Sequence, residues 1–159
     1  MKTVRLSDPD DFSGWRDAAR GLIAAGVKPE DVTWQVGDDG DLFGGQTDVG
    51  AGAGSAFSVP RAFVSLAKSV ICNRDPQRFA LLYRLLFDLK AGTRKMDDAA
   101  DPLIRKLEML AKAVRRDIHK MRAFVRFRSI DTDQGETFIA WFEPEHHIVR
   151  TNAEFFTSR

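Results

Sequence analysis

Six apolar residues, Ile104, Leu107, Leu110, Val114, Ile118 and Met121, recur at steps of three and four behind an Asp101-Pro102 start. That spacing predicts a helix with one continuous apolar stripe along about five turns. Such a helix draws its stability from what covers the stripe, so the chain has to build a core around it. The opposite side is as regular. Lys112, Arg115, Arg116, His119 and Arg122 also follow one another at steps of three and four. They share a second face roughly 15 Å long.

This basic face is hidden in the totals. The chain carries 24 Lys+Arg against 23 Asp+Glu, a net charge of +1. Residues 105–128 alone hold nine bases against Glu108 and Asp117, whereas residues 1–55 hold five bases and ten acids. Residues 129–159 are acidic again, with two bases and six acids. Segregation of this kind points to an anionic partner more strongly than the overall balance does. The plain alternative is a solvated helix face whose charge is met by the chain's own acidic N-terminal segment.

The remaining composition bounds the answer. A chain of 159 residues with 43% hydrophobic and 30% charged content fits one globular domain, here 1–159. It excludes disorder throughout. No run approaches the roughly 18 uncharged apolar residues of a membrane span. Met1–Asp11 lacks the apolar region of a secretory signal. Cys72 is the only cysteine, so no internal disulfide forms and a cytoplasmic location is expected.

The fold class predicted is α+β: a small, mostly antiparallel sheet with about four helices packed on one face. Strands are predicted near 2–6, 31–36, 123–130 and 136–142. Asp8 and Pro9 are expected to open the first helix, which carries Phe12, Trp15, Ala19, Leu22 and Ile23 and stops at Gly26. Pro60, Pro76 and Pro102 open three more, the second of them closed by Gly92. Residues 37–58 hold seven of the 12 glycines and read as a flexible loop. No Gly-Lys-Ser/Thr follows, so they are not a P-loop. Asp131–Gly135 reads as a hairpin turn, and something helical begins at Asn152. Phe57, Phe63, Phe79, Phe87, Phe124 and Phe127 are expected in the interior. Cys72 is expected to be a small buried hydrophobe, with no obvious base nearby.

Two sets of residues carry candidate chemistry. The phosphate-binding set is Lys112, Arg115, Arg116, Lys120, Arg122, Arg126 and Arg128, with the last two on one face of the following strand. Its excess of arginine suits phosphate, because the guanidinium fork matches it geometrically. The second set is His119, Glu143, His146 and His147, two imidazoles beside a carboxylate and a third reaching in from the helix. These could bind a divalent metal, perform acid–base chemistry or simply brace the hairpin. No His-Glu-x-x-His is present, and no metal or cofactor is assigned. Exposed rings such as Trp141 or Phe142 could stack on bases.

Several stretches resemble one family. Val114–Arg128, read as VRRDIHKMRAFVRFR, and Trp141–Ile148, read as WFEPEHHI, are similar to signatures of a bacterial domain of unknown function. So are Val59–Phe63 and Asp75–Arg84. That domain stands in front of UdgX-type uracil-DNA glycosylase modules. It also stands alone, described as a probable DNA metabolism protein paired with a radical-SAM protein. The resemblance implies a role in DNA repair or metabolism. It does not imply uracil excision, because no Gly-Glu-Gln-Pro-Gly segment is present. Family members continue past the point matching Phe155-Phe156, so the resemblance also implies a truncated C-terminus here.

Three functions follow as expectations. The first is a DNA-binding or DNA-handling accessory domain that contacts phosphates through the basic helix and strand. The second is a nucleic-acid- or nucleotide-processing enzyme centred on His119 and Glu143–His147. The third is a module that docks a glycosylase-type or radical-SAM partner.

Overall fold

A computed structural model describes residues 1–37 and 57–157. The Gly-rich loop predicted at 37–58 falls almost wholly outside them. The chain is mixed α+β, as expected, but its strands form two separate sheets. β1 (Lys2–Leu6) and β2 (Val32–Val36) pair in parallel, with Val4 opposite Trp34 and Leu6 opposite Val36. β3 (Phe127–Thr132) and β4 (Gly135–Ala140) pair antiparallel. This corrects the single, mostly antiparallel sheet. The reason is connectivity: α1 (Phe12–Ala24) lies between β1 and β2, and a helical crossover returns the chain parallel to the strand it left.

Five helices are present among the described residues rather than about four. After α1 come α2 (Arg61–Ile71), α3 (Arg78–Ala91), α4 (Pro102–Phe124) and α5 (Val149–Thr157). α1 packs on β1 and α3 on β2, α2 packs on both of those helices, and α4 packs on α2 and α3. Trp15 sits at the centre, 2% exposed, with its ring 6.2 Å from both Trp34 and Phe63. Tyr83 closes the far side. It is fully buried and donates its hydroxyl to the Val27 carbonyl at 2.7 Å.

The first helix starts later than predicted. Asp11, not Asp8, caps it, accepting from the Gly14 N–H at 2.9 Å. A Cβ at Gly14 would collide with the Asp11 carboxylate, so this first-turn glycine leaves room for the cap. Asp8 and Asp10 turn instead to Arg150, at 3.5 and 3.2 Å. α3 likewise begins at Arg78, because the Asp75 side chain accepts from Gln77 and forms a turn first. Gly26 and Gly92 adopt positive φ at the ends of α1 and α3, as their positions predict.

α4 runs on to Phe124, three residues past the predicted stripe, which delays β3 to Phe127. Phe124 and Phe127 are therefore exposed, against the expectation that they line the interior. The whole β3–β4 hairpin is open on both faces, apart from a half-covered Ala140.

Candidate functional site

The basic helix is held firmly along its other side. Asp101 caps α4, accepting from the N–H groups of Leu103 at 2.8 Å and Ile104 at 3.5 Å, with Pro102 in the first helical position. Arg94 bridges that cap to Asp88. Ile104, Leu107, Ala111 and Val114 are buried. Asn73 at the end of α2 donates to the Leu110 carbonyl at 3.0 Å. With this side fixed, about 3.6 residues per turn send the cations outward. Arg105, Lys106, Lys112, Arg115, Arg116, His119, Lys120 and Arg122 are all exposed. Glu108 is the one acid among them in α4, and it reaches Arg115 at 4.0 Å.

The members of the phosphate-binding set differ in what else they do. Arg122 donates from Nε to Asn152 Oδ1 at 2.8 Å and lies over the Phe155 ring, 4.6 Å from its centroid. It thus joins α4 to α5. Arg126 precedes β3 and turns back to the helix end, donating to the carbonyls of Ala123 at 2.9 Å and Val125 at 3.0 Å. β3 itself carries Arg128. Lys112, Arg116, Lys120 and Arg128 have no acid partner among the described residues.

The acids that might have neutralised this face lie elsewhere. Asp8 and Asp10 pair with Arg150, Glu30 with Arg84 at 3.4 Å, and Asp17 with its neighbour Arg16. Among the described residues, no acid of the N-terminal segment reaches α4.

The segment 143–148 folds down on α2 and α4 as a clasp. The His146 N–H donates to the buried Asp117 carboxylate at 2.8 Å, and its Nδ1 accepts from the Arg74 N–H at 3.1 Å. The His147 N–H donates to the Cys72 carbonyl at 2.8 Å. Ile148 is fully buried against Cys72 and Val114. Burial, together with Arg78, Arg74 and His146 nearby, holds the His147 imidazole below its ordinary pKa. The helix meets this clasp at Asp117, two residues before His119, and residues so spaced do not share a face. His119 and Glu143 are both exposed and make no hydrogen bond among the described residues. Of the second candidate set, then, the structure brings together His146 and His147 alone. Among the described residues no group of three or more His, Cys, Asp or Glu side chains is placed to hold a metal ion. Cys72 is buried as expected, and burial pushes its thiol pKa up.

Two features escaped the sequence reading. Arg78 is 4% exposed and donates to three carbonyls, those of Ile71, Asp75 and Pro9, at 2.8–2.9 Å. A lone arginine in a helix start gives no spacing signal for this. The other is the apolar surface of the hairpin: Phe124, Phe127, Ile130, Phe138, Ile139 and Trp141 are exposed, Trp141 at 83%. Phe127 is steadied from one side by Phe156 of α5, ring centroids 5.6 Å apart.

A family model described as a domain of unknown function, DUF4130, matches residues 76–159. No curated protein and no solved structure matches the chain.

Proposed function

The chain belongs to the DUF4130 family, and from the charge that its matched region gathers on one helix we propose that it is an accessory domain for handling DNA. Lys112, Arg115, Arg116, Lys120 and Arg122 would meet successive phosphates along α4, with Arg128 extending the track onto β3. The observation that carries this reading is the disposition of charge. Of the described N-terminal acids, Asp8, Asp10, Glu30 and Asp17 pair with Arg150, Arg84 and Arg16, while Lys112, Arg116, Lys120 and Arg128 of the face lack any acid partner among the described residues. Exposed cations of one sign held on a rigid helix repel one another, and an anionic polymer relieves that repulsion.

The test is fluorescence anisotropy with a labelled 20-mer DNA at two salt concentrations. Four to six phosphate contacts should weaken binding by about 10²- to 10³-fold between 50 and 200 mM salt. Arg115→Glu with Arg116→Glu should abolish most of the binding and flatten the slope. A salt-independent affinity, or one indifferent to the double reversal, sinks the reading.

The exposed hairpin favours a second reading, a docking module for a protein partner such as a glycosylase or radical-SAM protein. Exposed large apolar side chains gathered in one element are typical of interaction sites. Pull-down before and after nuclease treatment separates the two. Capture that survives nuclease and is lost with Phe138→Ser and Trp141→Ser belongs to the hairpin. Capture lost with nuclease belongs to the basic face.

A further inference from the structure

We propose that a cavity between α1, α2 and α3, remote in sequence from the basic face, binds a small organic anion with an apolar body, such as a medium-chain or aryl acid. The cavity has a volume of about 550 Å³, within the range of sites that enclose small ligands. Its floor is apolar: Trp15, Phe63 and Leu86 are buried beneath it, and Phe12 lies alongside with its ring centroid 6.4 Å from that of Trp15. Its rim is cationic. Arg16 and Arg20 stand one turn apart on α1, Lys68 comes from α2 and Lys90 from α3, and the described lining contains no acid.

Among the described residues no strong ion pair holds the rim cations. Arg16 has its neighbour Asp17 as a partner, at an exposed site where such a pair contributes little. The Lys90 ammonium reaches only the Ile23 carbonyl, at 3.5 Å. The Lys68 ammonium stands over the Phe12 ring, 5.6 Å from its centroid, with no carboxylate partner among the described residues. Arg20 has no acid partner there either. Four cationic residues from three helices line this one cavity, and the positive potential they add there favours a bound anion. The floor sets the second requirement. A fully hydrated ion such as inorganic phosphate would leave the aromatic surface uncovered, whereas an acyl chain or ring would cover it. The ligand thus has one acidic head for the rim and one apolar body for the floor.

Isothermal titration of the full chain with decanoate, decan-1-ol and decyltrimethylammonium tests this. All three share one apolar tail and differ in head charge. Decanoate should bind with a Kd below about 100 μM and at least tenfold more tightly than the other two. Arg20→Glu with Lys68→Glu, both exposed and outside the core, should weaken decanoate at least tenfold while leaving the melting curve in place. Val64→Trp fills the cavity without altering charge and should also abolish binding. If that variant fails to fold, the charge-reversed pair decides alone. Phe138→Ser with Trp141→Ser should leave decanoate binding unchanged. No measurable heat, equal binding of the alcohol or the cation, an indifferent Arg20/Lys68 pair, or loss in the hairpin variant overturns the proposal.

Discussion

The two small sheets are both two-stranded and lie in opposite circumstances. β1–β2 is covered by α1 and α3, with Val4, Leu6 and Val32 buried. β3–β4 has apolar side chains on show on both faces. A two-stranded sheet alone in water is marginal at best. The first pair is therefore held by its helices. The hairpin is held by its own hydrogen bonds, by Phe156 and by the ends of α4 and α5. The difference separates stability from availability. The part of the chain before α4 spends its large apolar side chains on a core, and the last part offers them outward beside a cationic helix.

Two tryptophans provide the strongest way to break this contrast. Trp15→Ala empties the centre of the core and should cost about 3–5 kcal/mol of unfolding free energy. Trp141→Ala should stay within about 0.5 kcal/mol, as surface substitutions do. Chemical denaturation of both variants measures it. Comparable losses would mean that the hairpin is buried in solution and that the contrast is false.

A smaller effect lies on the seam. Asp117→Ala leaves the His146 N–H unpaired in a half-buried place and should cost about 1–3 kcal/mol. The cost should be local: amide exchange should quicken over 144–157 and stay unchanged in β1 and β2. Uniform quickening would show that the clasp belongs to the main cooperative unit rather than to a separable one.

The smallest expected effect concerns pH. His147 has its folded pKa held below the ordinary value of 6.5, so the unfolded chain binds its proton more readily. The stabilisation from its neutral form is complete above about 6.5 and is lost as pH falls from there through the folded value. Thermal melts between pH 7.5 and 5 should show Tm decreasing with acid. His147→Gln should reduce that decrease. An identical slope in the variant would place the acid sensitivity elsewhere.

Much of this was legible in the residues. Asp101-Pro102 and the stripe from Ile104 to Met121 placed α4 nearly to its ends, and Gly26, Gly92 and Gly135 marked stops and a turn correctly. The parallel pairing of β1 with β2 was implicit in the helix between them, but alternation within a strand says nothing about direction. The openness of the hairpin is not legible in the residues, for a physical reason. In Phe127–Thr132 neither face is uniformly apolar, and phenylalanine there was equated with burial. The clasp could not be read at all, because its key bonds run from backbone N–H groups of His146 and His147 to a distant carboxylate and carbonyl. The cationic face of α4 was readable from spacing. Where the N-terminal acids go was not, since Arg150 meets Asp8 and Asp10 across nearly the whole chain.

The aromatic cluster around Trp34 also sets an order of events during synthesis. Its ring packs against Phe79 and Tyr83, centroids 6.3 and 5.9 Å away, and β1–β2 therefore cannot be sealed when β2 leaves the ribosome. Tyr83 follows Val36 by 47 residues, about 2–10 s of translation at ordinary rates. Through that interval the nascent chain carries an unsealed pair of apolar strands, and the completion of α3 ends its exposure to chaperones and to other nascent chains.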